Sequence, residues 1–96
     1  MTPEFHPAAD EEPAVAVKVG ETRGSGLGRA LIQEIRRVTT LLCTTPNIGE
    51  RLDREFRRFP LRKFPFGLIY RVDGDRIRIL AIAHRRQRPG YWRGRN

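Results

Sequence analysis

Cysteine is almost missing from this sequence: Cys43 is the one residue of its kind among 96. A lone thiol makes no internal disulfide, so the fold is not a cross-linked scaffold. Cys43 falls in a helical apolar pattern and reads as a buried structural thiol. Long hydrophobic runs are missing too, which excludes a membrane-spanning helix. Met1 to Val19 carries early acids and no continuous apolar stretch, so it does not read as a signal peptide, and the cytoplasm is the expected compartment. Histidine is scarce: His6 and His84 lie far apart and, with one cysteine, make no metal-ligand set. No cofactor is expected either. Gly24-Ser25-Gly26-Leu27-Gly28 opens a helix but lacks the lysine and the following serine or threonine of a phosphate-binding loop. With no repeat and no linker, residues 1–96 are expected to form a single domain.

What is abundant is arginine. Nineteen Lys and Arg face eleven Asp and Glu, a formal net charge of +8, and Lys18 and Lys63 are the only lysines. Arginine grips phosphate and carboxylate through a planar fork and stacks on bases. The charge is uneven. Residues 1–22 hold Glu4, Asp10, Glu11, Glu12 and Glu21 against Lys18, while residues 84–96 hold five arginines and no acid. The basic end fits a polyanionic or acidic partner, and equally a solvated tail. The apolar share, 39%, is thin for so short a chain and suits a fold with a partner on one face.

Thr2 to His6 reads as a short extended segment ended by Pro7. A helix follows, starting at Pro7 or near Asp10, with Pro13 either kinking it or sitting in its first turn. Ala14 to Val19, ended by Gly20, makes this the weakest element. Leu27 to Thr44 is the strongest helix: Leu27, Leu31, Ile35, Val38 and Leu42 recur at spacings of three and four. Glu34 falls inside that apolar stripe and needs a basic partner if buried. Pro46 and Gly49 close the helix. Strand signals follow at Glu55 to Phe59, Lys63 to Val72 and Arg76 to His84, with Asp73-Gly74 as the hairpin turn between the last two. In the last strand Ile77, Ile79 and Ala81 are expected on one face. The order predicts an α+β fold, β-α-α-β-β-β, with two N-terminal helices packed on one face of an antiparallel sheet.

Several motifs, in order, resemble the RelE/ParE superfamily of type II toxin–antitoxin toxins. They are Phe5 to Ala9 (FHPAA), Gly26-Leu27-Gly28, Pro46 to Gly49 (P-x-x-G), Lys63 to Val72 ending FGLIYRV, Arg78 to His84 (RILAIAH) and Arg86 to Trp92 (R-x-R-P-G-Y-W). The resemblance covers almost the whole chain. It implies a small toxin held inactive by a cognate antitoxin, in a toxin–antitoxin hetero-oligomer. Departures occur at Pro13 and at Val19-Gly20, where the family often has an aromatic pair. Another bears on the target: in the ribosome-dependent RNase branch an arginine commonly follows the aromatic that opens the central strand, and here Gly67 follows Phe66. Ala83-His84-Arg85-Arg86 looks more like the ParE branch, which implies DNA gyrase as target. The alternatives are a RelE-like endoribonuclease acting on ribosome-bound mRNA and a non-toxic basic nucleic-acid-binding domain.

The candidate site is the end of the last strand and the tail. As an endoribonuclease the chain would need no metal: His84 as acid or base, Arg86 as phosphate clamp and Tyr91 as a second proton-transfer group. As a binding surface it offers Arg62, Lys63, Arg85, Arg88 and Trp92, with Tyr91 and Trp92 alternatively an aromatic lid on the core. If the cluster Arg57, Arg58, Arg62 and Lys63 abuts the tail in space, the two form one groove for a nucleic-acid backbone. Truncation after Ala83 is expected to abolish any toxicity while leaving a largely folded chain.

Overall fold

A computed structural model describes residues 1–13 and 26–95. Strand β1 (Thr2–Phe5) leads into helix α1, which begins at Pro7 and is described over residues 7–13. Proline suits this first turn because its missing N–H has no partner there anyway. The N–H groups of Ala9 and Asp10 donate to the His6 carbonyl (2.8 and 3.1 Å), and that of Ala8 donates to His6 Nδ1 at 3.1 Å. The start near Asp10 is therefore not taken, and Pro13 stays inside the helical run, buried. Ala14 to Gly20, with the Val19-Gly20 departure, and the Gly24-Ser25 part of the turn lie outside the described residues.

Helix α2 (Leu27–Thr44) has the predicted limits. Leu31, Ile35, Val38 and Leu42 are buried and, with Ala9 of α1, pack on one face of the sheet. Cys43 is half-buried at the border of this cluster rather than inside it. Glu34 has the basic partner that its position demands: Arg37 Nε and Nη2 donate to its two oxygens at 2.7 and 2.9 Å. Past the helix, Pro46 and Gly49 do more than stop it. The Tyr70 hydroxyl donates to Pro46 O (2.7 Å) and accepts the Gly49 N–H (2.9 Å). A Cβ on Gly49 would lie 2.6 Å from that oxygen, so the P-x-x-G motif is a socket for a buried tyrosine.

Strands β2 (Glu50–Arg51), β3 (Arg57–Pro60), β4 (Phe66–Asp73) and β5 (Arg76–His84) complete the sheet, in the order β1-β5-β4-β3-β2. All neighbours are antiparallel except β1, which runs parallel to β5. Pro60, expected to break β3, is its last residue, where a lost N–H costs little. Conversely β4 starts three residues later than predicted, because Lys63 is left-handed (φ 64) and Leu61 N–H closes the loop onto Phe66 O at 2.9 Å. The two turn residues between β4 and β5 are Gly74 and Asp75, with positive φ at Gly74 (60) alone, the arrangement of a type II′ turn.

The pairing of β4 with β5 slips between Ile69↔Ala81 and Tyr70↔Ile79, which leaves Leu80 as an extra residue. This bulge reverses the side-chain alternation beyond it. Ile77, Ile79 and Ile82 therefore join the helix-side core, while Leu80, Ala81 and Ala83 face the other way. The expectation that Ala81 shares a face with Ile77 and Ile79 is overturned for that reason. On this second face, Phe56, Ile69, Leu80, Ala81 and Ala83 are covered by Trp92 from the C-terminal tail.

Candidate functional site

The β3–β4 and β4–β5 registers bring the two basic stretches together. Pro60 pairs with Gly67, Gly67 with Ala83, and Phe66 with His84, so the loop after β3 and the chain after β5 leave the sheet at one end. Arg85 N–H donates to Pro65 O (2.9 Å) and ties the two segments. Arg62 and Lys63 on one, and Arg85, Arg86 and Arg88 on the other, are all exposed. Among the described residues Lys63, Arg85, Arg86 and Arg88 have no acidic partner. Glu34 borders this end: it takes the Arg62 N–H at 2.5 Å, and Arg37 first of all holds its carboxyl below the usual carboxylate range. Of the second basic cluster, Arg57 is turned away. It is paired with Tyr70 and donates to the carbonyls of Asn47 (3.0 Å) and Gly49 (2.9 Å). Arg58, in register with Ile69, lies on the tail side of the sheet, and its guanidinium rests on Gly67.

The tail is divided in function. Beyond Arg88 it folds back in a series of turns and is held through Tyr91, Trp92, Arg93 and Arg95. Trp92 is 4% exposed and meets Phe56 edge-to-face, centroids 4.8 Å apart. The Arg93 guanidinium lies over the Trp92 ring (4.8 Å) and pairs with Asp53 Oδ2 (2.6 Å). Asp53 is pulled down to about 2 by Arg93 and then by the Glu55 and Phe56 N–H groups that its other oxygen accepts. Arg95 pairs with Glu12 (2.9 Å) and donates to Leu80 O (2.8 Å).

Glu12 is the hub of this arrangement. β1 pairs β5 only as far as Ile79, so beyond it the β5 edge has open backbone groups. Glu12 Oε1 accepts the Ile82 N–H at 3.0 Å, and Arg95 takes the Leu80 carbonyl, replacing the bonds a neighbouring strand would make. The other carboxylate oxygen accepts the Tyr91 hydroxyl in a short hydrogen bond. Burial first, and Glu12 second, push the Tyr91 hydroxyl well above its ordinary value of 10.0.

These contacts decide what the predicted proton-transfer groups can do. Tyr91 stays protonated at neutral pH and donates its hydrogen bond to Glu12. His84 Nδ1 accepts the Arg86 N–H (3.0 Å), the His84 backbone N–H donates to Gln87 Oε1 (2.8 Å), and the ring stands edge-on to Phe66 at 5.1 Å. His84 is thus built into the turn that starts the tail. Arg86 is nearby through its backbone, with its side chain exposed. Trp92 has no ring face turned to solvent.

A polar cleft of about 490 Å³ lies at the opposite end, lined by Arg51, Arg54, Arg57 and Arg71 but also by Asp53, Glu55 and Asp73. Its charges are interleaved, unlike the basic end. Among the described residues no cluster of His, Cys, Asp and Glu is placed to hold a metal ion. No described helix is long and apolar enough to cross a membrane. Sequence reasoning missed Glu12, Arg95, Asp53 and Arg93 because their partners are 40 or more residues away and nothing local marks them. Arg58 was named as part of the basic cluster, but its place over Gly67 was not; the signal for that was a glycine inside a strand, which implies close approach of another group.

A family profile described as the ParE toxin of type II toxin–antitoxin systems, parDE, matches residues 4–89. Among solved structures, a chain of the chromosomal ParDE toxin–antitoxin system from P. aeruginosa superimposes with a TM-score of 0.75 at 20% identity, covering 88% of this chain and 95% of that one. No curated protein matches the sequence.

Proposed function

The chain belongs to the ParE toxin family of type II toxin–antitoxin systems, and from that premise we propose that it arrests growth in the cytoplasm by binding DNA gyrase, without chemistry of its own, until a cognate antitoxin covers it. One observation supports the choice of a binder over a nuclease: the Tyr91 hydroxyl, the second proton-transfer group that a metal-independent endoribonuclease would use here, is held in the structure. The Tyr91 hydroxyl is bound to Glu12, His84 Nδ1 holds the Arg86 N–H, and Gly67 offers no side chain where the RNase branch commonly has arginine. A general acid or base must reach the proton that it moves; the Tyr91 hydroxyl is occupied by Glu12, and His84 keeps one ring nitrogen in the turn that starts the tail. The target-binding surface is then the exposed set Arg62, Lys63, Arg85, Arg86 and Arg88, with Trp92 holding the tail in place behind it.

The second reading, a RelE-like ribosome-dependent endoribonuclease with His84, Arg86 and Tyr91 in catalytic roles, draws on the concentration of cations around His84. Inducing the toxin without its antitoxin distinguishes the two. Loss of plasmid supercoiling and an SOS response with intact transcripts are expected. Rapid cleavage of mRNA at ribosomal A sites with an intact chromosome would sink the gyrase reading.

A further inference from the structure

We propose that Arg58 is a receptor for the phosphodiester backbone of a nucleic acid, held ready by the side-chain-free backbone of Gly67 at the basic end of the sheet. The placement follows from register. Arg58 is opposite Ile69, and Gly67 is the next β4 residue on the same side. A Cβ at position 67 would lie 2.7 Å from Arg58 Cζ and Nε and 2.8 Å from Nη2. The guanidinium therefore fills the space that any other residue at 67 would take for its own side chain.

The pairing state of Arg58 points to a ligand. Other half-buried arginines are satisfied within the chain: Arg37 by Glu34, Arg57 by two carbonyls, Arg71 by Asp73 and Arg95 by Glu12. Arg58 is half-buried with no hydrogen-bond or ion-pair partner among the described residues. A half-buried guanidinium that makes no bond within the described chain has its donors open to an anion arriving from solvent. Holding the planar fork in one place reduces the side-chain entropy lost when it binds.

The surroundings favour phosphate over a protein carboxylate. Exposed Arg62, Lys63, Arg85, Arg86 and Arg88 leave from the same end of the sheet, on the two segments that Arg85 N–H ties together. A series of cations with Glu34 as its one bordering acid among the described residues matches a regular polyanion, where each neutralised phosphate releases a counterion. The fork of arginine also fits two phosphate oxygens at once. The inference rests on the reading of this end as the binding surface and adds a class of ligand to it; induction of the toxin tests the target, and the binding assay tests the ligand class.

The test is fluorescence anisotropy of the full chain with labelled single-stranded and duplex DNA and RNA, across a salt series. Arg58→Ala is expected to weaken binding about tenfold and to lower the salt slope by about one. Gly67→Ala retains all charges and the melting curve, because the far end of a flexible side chain yields to the new methyl. It displaces the guanidinium all the same, and should lose affinity nearly as Arg58→Ala does. Arg58→Lys, with charge but no fork, should fall between. Wild-type affinity and salt slope in Arg58→Ala would overturn the proposal, and wild-type binding by Gly67→Ala would overturn the role of the glycine. If the variants lose a polyglutamate peptide but hold nucleic acid as before, the receptor is for an acidic protein and the proposal fails.

Discussion

At the scale of single residues, the carboxylate of Glu12 shows how one side chain does the work of a missing strand. It sits beside Arg95, both less than one-fifth exposed, and accepts a backbone N–H, a guanidinium and a hydroxyl. Its bond to Tyr91 has a pH consequence. The folded state holds the Tyr91 hydroxyl above its ordinary 10.0, so the ionised form is disfavoured on folding. That contribution is complete below pH 10 and is lost as pH rises past it. Tyr91→Phe should cost about 1.5–3 kcal/mol at neutral pH, the range for a hydrogen bond to a charged group. It should also flatten the fall in stability on the alkaline side. Urea denaturation between neutral and alkaline pH reads both effects; equal slopes in the two proteins would show that Tyr91 is not the titrating group. Nothing in the sequence links Glu12 to Tyr91, because the contact spans 79 positions.

At the scale of elements, periodicity was a good guide wherever one face of an element was buried. It predicted the limits of α2 and of β5, and it marked Glu34 as a residue in need of a partner. It failed at Ala81, because a bulge is a property of two paired strands and one strand's pattern does not show it. It also missed β2, which is two residues long and exposed on both. The link between α2 and β2 allows a direct test. Gly49 is buried against the Tyr70 ring, which cannot retreat because it is itself fully buried. Gly49→Ala is expected to cost about 2–3 kcal/mol, at the upper end for overpacking a filled site. Thermal melting checks this, and an unchanged melting temperature would show that the socket is loose. By contrast, Gly67→Ala meets the movable end of Arg58, so the two glycine substitutions should differ in stability although their close approaches are alike.

At the scale of the molecule, the sheet is covered on both sides, by the helices and by the tail. Truncation after Ala83 would remove Trp92, Arg93 and Arg95 together and uncover Phe56, Ile69, Leu80, Ala81 and Ala83. It would also leave Glu12 without Tyr91 and Arg95. The expectation of a largely folded truncated chain therefore gives way to its opposite. Loss of a buried tryptophan alone costs about 3–5 kcal/mol, comparable with the whole stability of a small domain. Far-UV circular dichroism and melting of the truncated chain test this, and Trp92→Ala in the full chain separates loss of the lid from loss of the basic residues. A cooperative melt at the wild-type temperature would return Trp92 to the surface as a binding residue. The arginines of the tail divide accordingly: Arg93 and Arg95 hold it in place, while Arg85, Arg86 and Arg88 face outward.

By itself the sequence determined the α+β class, the long helix, the last hairpin, the excess of arginine and the family resemblance. Each of these depends on neighbours within a few residues, or on an ordered set of short motifs. Only the tertiary structure decided which arginines are available and which are tied. That depends on the strand register that lays Arg58 over Gly67 and on the fold-back that pairs Arg93 and Arg95 with distant acids. Neither scarce residue type stands where its reading put it. Cys43, read as buried, is half-buried at the border of the core, and His84, chosen as a catalytic candidate for its chemistry, is held by a turn that its spacing did not reveal.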